Sequence, residues 1–282
     1  MKESVPSRTA LRVALRRAAH QLLDTPKVLD DPLAVRIVGN AIGEIQQNPA
    51  RHRTRRARHF RAFMAVRSRY AEDQLAESVA RGVSQYVILG AGLDTSAYRG
   101  IALHGLRVFE VDHPNTQSWK IGCLQAANIE IPDSVRFVPV DFERQELATE
   151  LQAAGFHADQ PTFVSWLGVV PYLTKEAAAH TFGLIGKLPQ RSGVVFDYSV
   201  PRSSLGLLER LALDALARRV ERAGEPFRLF FTPEELNEFL TGLGFQRIEQ
   251  LGGEELSSRY FRDRRDGLRV AGSAGRIVGA WT

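Results

Sequence analysis

The chain has 282 residues, of which 44% are hydrophobic and 24% charged, so it can bury a sizeable core and wholesale disorder is excluded. Its net charge of +5 raises nucleic acid as an alternative partner. One cysteine, Cys123, excludes an internal disulfide and a cysteine-based zinc site, and no apolar run reaches the ~20 residues that cross a bilayer. We therefore expect a cytoplasmic protein that neither binds a metal nor spans a membrane.

Residues 1–81 are expected to form a helical cover over the rest of the domain. From about residue 8, apolar side chains recur at helical spacing, and prolines interrupt the pattern where a helix must end or kink. These breaks are Pro26, Pro32 and the Asn48-Pro49 pair.

The densest run of arginine, residues 51–69, lies near the end of this segment. It indicates either a phosphate-binding face or the solvated side of a helix that carries Phe63 and Met64 on its other side. No RNP motif, zinc-finger spacing or basic-zipper pattern accompanies it, so we favour the solvated side and do not expect nucleic acid as a partner.

Residues 82–200 are predicted to form a cofactor-binding core. Short runs rich in Val, Ile, Phe and Tyr alternate with helical stretches, a pattern typical of an open, largely parallel sheet covered on both faces. The predicted strands are 86–89, 107–111, 135–140, 162–166 and 194–198. The predicted helices between them are 116–127, 143–154 and 175–186, with Asn115 and Thr174 as caps. We therefore expect a doubly wound α/β fold.

A second helical segment, residues 201–244, is expected to cover the substrate. One helix is predicted at about 204–223, before a break at 224–226. Another begins at Thr232-Pro233-Glu234-Glu235, where threonine caps the helix, proline takes the first helical position and an acid follows three residues after the cap. Final strands at 245–251 and 276–281, within residues 245–282, would complete the sheet of a single domain.

The first predicted strand leads into Leu-Gly-Ala-Gly-Leu-Asp-Thr, residues 89–95. Gly90 and Gly92 allow the backbone to turn sharply there, so that a cofactor can approach main-chain N–H groups closely. A dinucleotide fingerprint would place a third small residue where Thr95 stands. The loop therefore favours a ligand without pyrophosphate, and an NAD-dependent oxidoreductase is the weaker alternative.

Acids follow the next two strands. Glu110 and Asp112 end the second strand, where a carboxylate can accept hydrogen bonds from a ribose. Asp141 ends the third strand, and the adjacent Phe142 can lie against an adenine ring while the acid accepts from its amine. A loop or capping role is an even alternative for Asp141 alone. Together the three strand ends predict a site for adenosine.

Four segments resemble the leucine carboxyl methyltransferase-like family, and within it the bacterial branch of S-adenosylmethionine-dependent methyltransferases. They are residues 86–99, 109–114, 140–142 and 165–174. Residues 67–73 and 227–245 are also similar to motifs of that family. The resemblance implies S-adenosyl-L-methionine as cofactor and the class I methyltransferase (Rossmann-like) fold, with an N-terminal helical cover and a helical insertion after the fifth strand.

The resemblance also implies which residues surround the cofactor. They are Arg69, Gly90, Gly92, Asp94, Glu110, Asp112, Asp141, Phe142, Ser165 and Trp166. Arg69 would bind the methionine carboxylate, Glu110 and Asp112 would face the ribose, and the acid and aromatic at 141–142 would hold the adenine. Leu167 stands where many relatives carry glutamate. This departure weakens the transfer of those relatives' substrates to this chain.

Methyl transfer from a sulfonium is an in-line displacement, so the protein mainly has to align the nucleophile, methyl and sulfur in a dry pocket. A carboxylate acceptor is already ionised, whereas an alcohol or phenol would be helped by a general base. His113 is the candidate base, with helix capping as its alternative, and Tyr172 is either a hydrogen-bond donor or a core residue. We expect O-methylation of a carboxylate on a small acidic molecule, with O-, N- or C-methylation of another group as the alternative.

Overall fold

The computed structural model describes residues 8–100, 105–142, 144–221 and 226–282. The strands found there are β1 (Gln85–Leu89), β2 (Arg107–Asp112), β3 (Val135–Pro139), β4 (Thr162–Trp166), β5 (Gly193–Ser199), β6 (Arg247–Leu251) and β7 (Gly275–Trp281). They form one sheet in the order β3-β2-β1-β4-β5-β7-β6. The first five pair in parallel, and β7 is antiparallel to β5 and β6. The predicted doubly wound α/β fold is confirmed.

The chain before the sheet is helical, as predicted. Its α-helices are α1 (Arg8–Leu23), α2 (Leu33–Ile37), α3 (Gly43–Gln47), α4 (Pro49–Arg53) and α5 (Arg55–Ala80). The later helices are α6 (Pro114–Ala126), α7 (Leu147–Ala153), α8 (Lys175–Gly186), α9 (Leu207–Glu221), α10 (Pro233–Gly242) and α11 (Gly253–Tyr260). None of these helices is both long enough and apolar enough to cross a membrane.

Side-chain caps mark the starts of three of the later helices. Thr174 and Thr232 cap α8 and α10 as predicted, and Glu235 completes the capping box at Thr232. The cap of α6 is His113 rather than Asn115, because the side chain of His113 accepts from the backbone N–H of Asn115. Part of the predicted break at 224–226 lies outside the described residues.

The helix α7 begins later than predicted. Backbone N–H groups of Arg144 and Gln145 both donate to the carbonyl of Asp141, which closes a turn after β3. The chain therefore leaves the sheet through this turn, and the helix starts only at Leu147. The turn holds Asp141 and Phe142 at the carboxyl end of β3.

Both faces of the central strands are buried, which explains their continuous apolar sequence. In β1, Val87 and Leu89 belong to one apolar cluster, and Tyr86 and Ile88 belong to the cluster on the opposite face. Strand order reverses next to β1, because β2 pairs on one side of it and β4 on the other. A crevice outside the carboxyl ends of β1 and β4 is where ligands bind in such sheets.

Candidate active site

A cavity of about 360 Å³ opens at the carboxyl ends of β1, β2 and β4. Its floor is the glycine loop after β1, and its walls come from α1, α5, the ends of β2 and β3, and the loop after β4. Its volume is within the range of small-molecule sites. The predicted positions that line it are Gly90, Gly92, Asp94, Asp112, His113, Asp141, Phe142, Ser165 and Tyr172.

The glycine loop is packed so closely against its neighbours that a side chain at Gly90 or Gly92 would meet them. Gly90 has φ +67°, and its N–H donates to the carbonyl of Val111 at 2.8 Å. A Cβ at Gly90 would lie 2.4 Å from Cγ2 of Val169, and one at Gly92, where φ is +44°, would lie 3.2 Å from Cβ of Ala10. The predicted sharp turn is present, and its backbone faces the cavity.

Asp112 presents a carboxylate at the end of β2. Its Oδ2 accepts from the backbone N–H of Gly92 at 2.6 Å, and its Oδ1 accepts from that of His113 at 2.7 Å. Burial raises the pKa of this carboxyl, and the two backbone hydrogen bonds oppose that rise. The acid therefore joins the glycine loop to the strand that carries it.

Glu110 does not face the cavity, and the expectation that it meets a ribose is wrong. It is fully buried, and its Oε2 lies 2.7 Å from Nζ of Lys120 on α6, which is also buried. Burial raises the pKa of Glu110, although the Lys120 ammonium opposes that rise. Two residues deeper in the strand than Asp112, this acid lies beneath α6 and forms part of the core.

Arg69 does not line the cavity, contrary to the prediction, whereas Arg67 does. The Arg69 side chain is 46% exposed and pairs with Asp73 at 2.8 Å, one turn along the same helix. Arg67 is buried, lines the cavity and places Nη1 3.1 Å from Oδ2 of Asp197 on β5. Residues two apart on an α-helix point in nearly opposite directions, so only one of the two arginines can face inward.

A signal for Arg67 was present in the sequence. Met64 and Ala71, at i−3 and i+4, are apolar, and residues at those spacings share a helix face. Both are buried, as is Ser68, which also lines the cavity. The arginine stretch is thus not uniformly solvated: its first arginines are exposed, whereas Arg61 and Arg67 are buried.

The other predicted residues are divided between cavity and core. Phe142 is 52% exposed at the cavity wall, beside Asp141, whose carboxylate lies 3.7 Å from Arg144. Ser165, buried at the end of β4, also reaches the cavity. Trp166 does not, because it points to the opposite face of β4 and packs against Phe182 with ring centroids 4.9 Å apart. The prediction that Trp166 contacts the cofactor is therefore wrong.

Helix α1 forms a wall that the sequence did not predict. Thr9 and Val13 line the cavity, and Arg17 fixes the helix to the glycine loop. Nη2 of Arg17 donates to the carbonyl of Leu93 at 2.8 Å, and Nη1 lies 3.2 Å from Oδ2 of Asp94. Burial disfavours the Asp94 carboxylate, but Arg17 and the other groups around it hold its pKa below the usual range. Sequence spacing showed an amphipathic helix but not its position.

Comparison with known protein families shows which family this chain belongs to. The sequence profile of leucine carboxyl methyltransferase matches residues 10–186. The chain belongs to the leucine carboxyl methyltransferase family. YktD of Bacillus subtilis (strain 168), named as an S-adenosyl-L-methionine-dependent methyltransferase, is 32% identical over 291 residues, covering 95% of each chain. A protein of the same description from Saccharopolyspora erythraea is 31% identical over 277 residues, covering 96% of this chain and 94% of the relative.

Solved structures agree with this family's fold. A protein from Thermobifida fusca YX, described as a methyltransferase, superposes with a TM-score of 0.58 at 16% identity, covering 100% of this chain and 96% of that one. A duf574 family protein from Streptomyces avermitilis MA-4680 gives a TM-score of 0.55 at 17% identity, covering 95% of this chain and 97% of that one. The fold is that of class I methyltransferases. With its family, this makes the chain an S-adenosyl-L-methionine-dependent methyltransferase.

The cavity of this methyltransferase fits that cofactor. The glycine loop lines the cavity, so a ligand can approach its main chain. Nε of Arg67 is buried and has no hydrogen-bond acceptor among the described residues, as expected of a guanidinium at an anion-binding site. No group of three or more metal-ligating side chains occurs in the described part of the chain.

The two candidate catalytic residues of the methyltransferase both lie at the cavity. His113 caps α6, with Nδ1 accepting from the N–H of Asn115 at 3.2 Å. A neutral imidazole that accepts through Nδ1 carries its proton on Nε2 and so donates there rather than accepts. Tyr172 lines the cavity next to Leu167 and stacks on Phe227, with ring centroids 5.3 Å apart.

Proposed function

We propose that this methyltransferase binds its cofactor in the cavity described above and methylates a carboxylate oxygen of a small molecule. The proposal rests on the hydrogen bonding of the cavity side chains that could act as a general base. Every acid and the one histidine among the described cavity residues already has a polar partner, and Nδ1 of His113 is engaged in capping. A nucleophile that is ionised without help from the protein suits such a site.

The cofactor-binding roles form the first part of the proposal. Arg67 replaces Arg69 as the group that binds the methionine carboxylate, because Arg67 lines the cavity and Arg69 does not. Asp112 accepts from the ribose hydroxyls, since a carboxylate at this strand end faces the crevice. Asp141 and Phe142 flank the adenine. Further positions proposed to contact the cofactor are Gly90, Gly92, Asp94 and Ser165.

When bound, S-adenosyl-L-methionine supplies an electrophilic methyl group on a sulfonium. The protein's task is to hold the acceptor oxygen in line with that methyl and to exclude water. An O–C bond forms as the S–C bond breaks, and the electron pair of the broken bond remains on sulfur, which gives a methyl ester and S-adenosylhomocysteine. No proton has to be removed when the acceptor is a carboxylate.

The walls near β4 and α1 favour an acceptor with an apolar body. Val13, Leu167 and Val169 line this part of the cavity beside Tyr172. Of the cavity's other cations, Arg17 is paired with Asp94 and Arg144 lies 3.7 Å from Asp141, so each already has a counter-charge. We therefore infer an acceptor that carries a single carboxylate on an apolar body rather than a polyanion.

Alkali lability of the product tests the proposal. The enzyme is incubated with methyl-labelled cofactor and a metabolite extract, and the products are treated with mild alkali, with an enzyme-free reaction as control. Methyl esters release labelled methanol, whereas ethers, N-methyl and C-methyl products retain the label. A fully alkali-stable label would reject the carboxylate and support the alternative acceptors.

A further inference from the structure

Asp197, on β5, bridges two parts of the cavity without lining it. Its Oδ2 lies 3.1 Å from Nη1 of Arg67, and its Oδ1 accepts from the backbone N–H of Gly168 at 2.6 Å. Arg67 comes from α5, and Gly168 belongs to the loop after β4. One carboxylate therefore fixes a helix side chain and a strand-end loop relative to each other.

The packing between these groups is tight. Gly168 has φ +73°, and a Cβ there would lie 3.0 Å from Nη1 and Nη2 of Arg67. The guanidinium thus lies directly against the glycine backbone, and Asp197 is buried together with it. Replacement of this carboxylate would release both the loop and the guanidinium from their shared anchor.

We propose that Asp197 is a positioning residue that aims Arg67 at the carboxylate of the cofactor. This inference rests on the proposed cofactor site. A guanidinium has five N–H donors in a planar fork, and a carboxylate that engages one edge fixes the direction of the others. Asp197 engages Nη1 of Arg67, a residue that lines the cavity, so the other donors of the fork can serve a second anion.

Two ligands that differ in the amino-acid portion separate this role from a merely structural one. S-adenosylhomocysteine carries the carboxylate that Arg67 would bind, and 5′-methylthioadenosine lacks it. Asp197→Asn should raise the dissociation constant of S-adenosylhomocysteine by about tenfold or more, the effect of a weakened hydrogen bond to a charged group, and change that of 5′-methylthioadenosine by less than about twofold. Equal losses for the two ligands would overturn the inference.

A double-mutant cycle adds an independent readout. With Arg67→Ala already present, Asp197→Asn should cost less than about twofold in S-adenosylhomocysteine affinity, because coupled residues do not contribute additively. Additive losses would overturn the inference. If Asp197→Asn does not fold, Asp197→Glu gives the same ligand comparison, since it keeps the charge but displaces it by one methylene.

A second buried ion pair provides the matched control. Asp24 lies 2.6 Å from Nε of Arg61, both are buried, and neither lines the cavity. Asp24→Asn should lower thermal stability without changing the ratio of the two dissociation constants, and a changed ratio would overturn the inference. If the wild-type protein binds no S-adenosylhomocysteine, both the proposed function and the role inferred for Asp197 fail. If Arg67→Ala weakens that ligand selectively and Asp197→Asn does not, only this inference fails.

Discussion

The two acids of β2 should separate cofactor affinity from stability. Asp112 lines the cavity and accepts from the backbone N–H groups of Gly92 and His113 at 2.6 and 2.7 Å. Glu110 lies outside the cavity, fully buried, with Oε2 2.7 Å from Nζ of Lys120. We expect Asp112→Asn to weaken binding of S-adenosylhomocysteine and Glu110→Gln to destabilise the fold.

The expected magnitudes follow from these contacts. The Asp112→Asn variant would keep one side-chain oxygen for the N–H of Gly92 but would place its amide NH2 against the N–H of His113. It would also lose the ionised acceptor for a ribose, worth about 1.5–3 kcal/mol, or roughly 10- to 150-fold in dissociation constant. Glu110→Gln leaves the buried Lys120 ammonium without its counter-charge, at about 3–5 kcal/mol of unfolding free energy. Calorimetry measures the first effect and urea denaturation the second. An equal loss of affinity in both variants, measured where both are folded, would refute the role given to Asp112.

Three further results are expected. Arg67→Ala should weaken S-adenosylhomocysteine binding by about tenfold or more, whereas Arg69→Ala, on the outer side of α5, should change it by less than about twofold; equal losses in calorimetry would contradict this. Gly90→Ala should abolish calorimetric binding, because its Cβ would lie 2.4 Å from Cγ2 of Val169 at φ +67°, and unchanged affinity in a folded variant would contradict it. Burial raises the pKa of Glu72 to about 7, from an ordinary value of 4.5. The folded state then binds more protons, so unfolding free energy should fall as pH rises from about 4.5 to about 7, and Glu72→Gln should remove this part of the slope in denaturation curves; an unchanged slope would argue against it.

Strand positions could be predicted closely from the sequence. Each of the five parallel strands was expected within one residue of its observed ends, and β4 was expected at the observed bounds. Val, Ile and Phe in short continuous runs are strong signals, because both faces of these strands are buried. The caps Thr174 and Thr232 were equally predictable, since their side chains satisfy backbone N–H groups within the same turn.

Residues that depend on tertiary placement were harder to assign. Arg67 and Arg69 both lie in the family motif at residues 67–73. Only the observed packing of α5, which buries Arg67 and leaves Arg69 out, distinguishes them. Glu110 and Asp112 point to the same side of β2, but α6 covers the deeper one. The cavity wall formed by α1 depends on packing between residues more than 70 positions apart, such as Arg17 and Asp94. Local sequence carries no information on such contacts.

A crystal structure of the protein with S-adenosylhomocysteine tests the central claim most directly. The account predicts that the nucleoside lies in the cavity, with its ribose hydroxyls donating to Asp112, its adenine beside Phe142 and its carboxylate on the Arg67 guanidinium. Binding of the ligand at another place on the chain, or an ordered ligand whose ribose and carboxylate make neither contact, would contradict it.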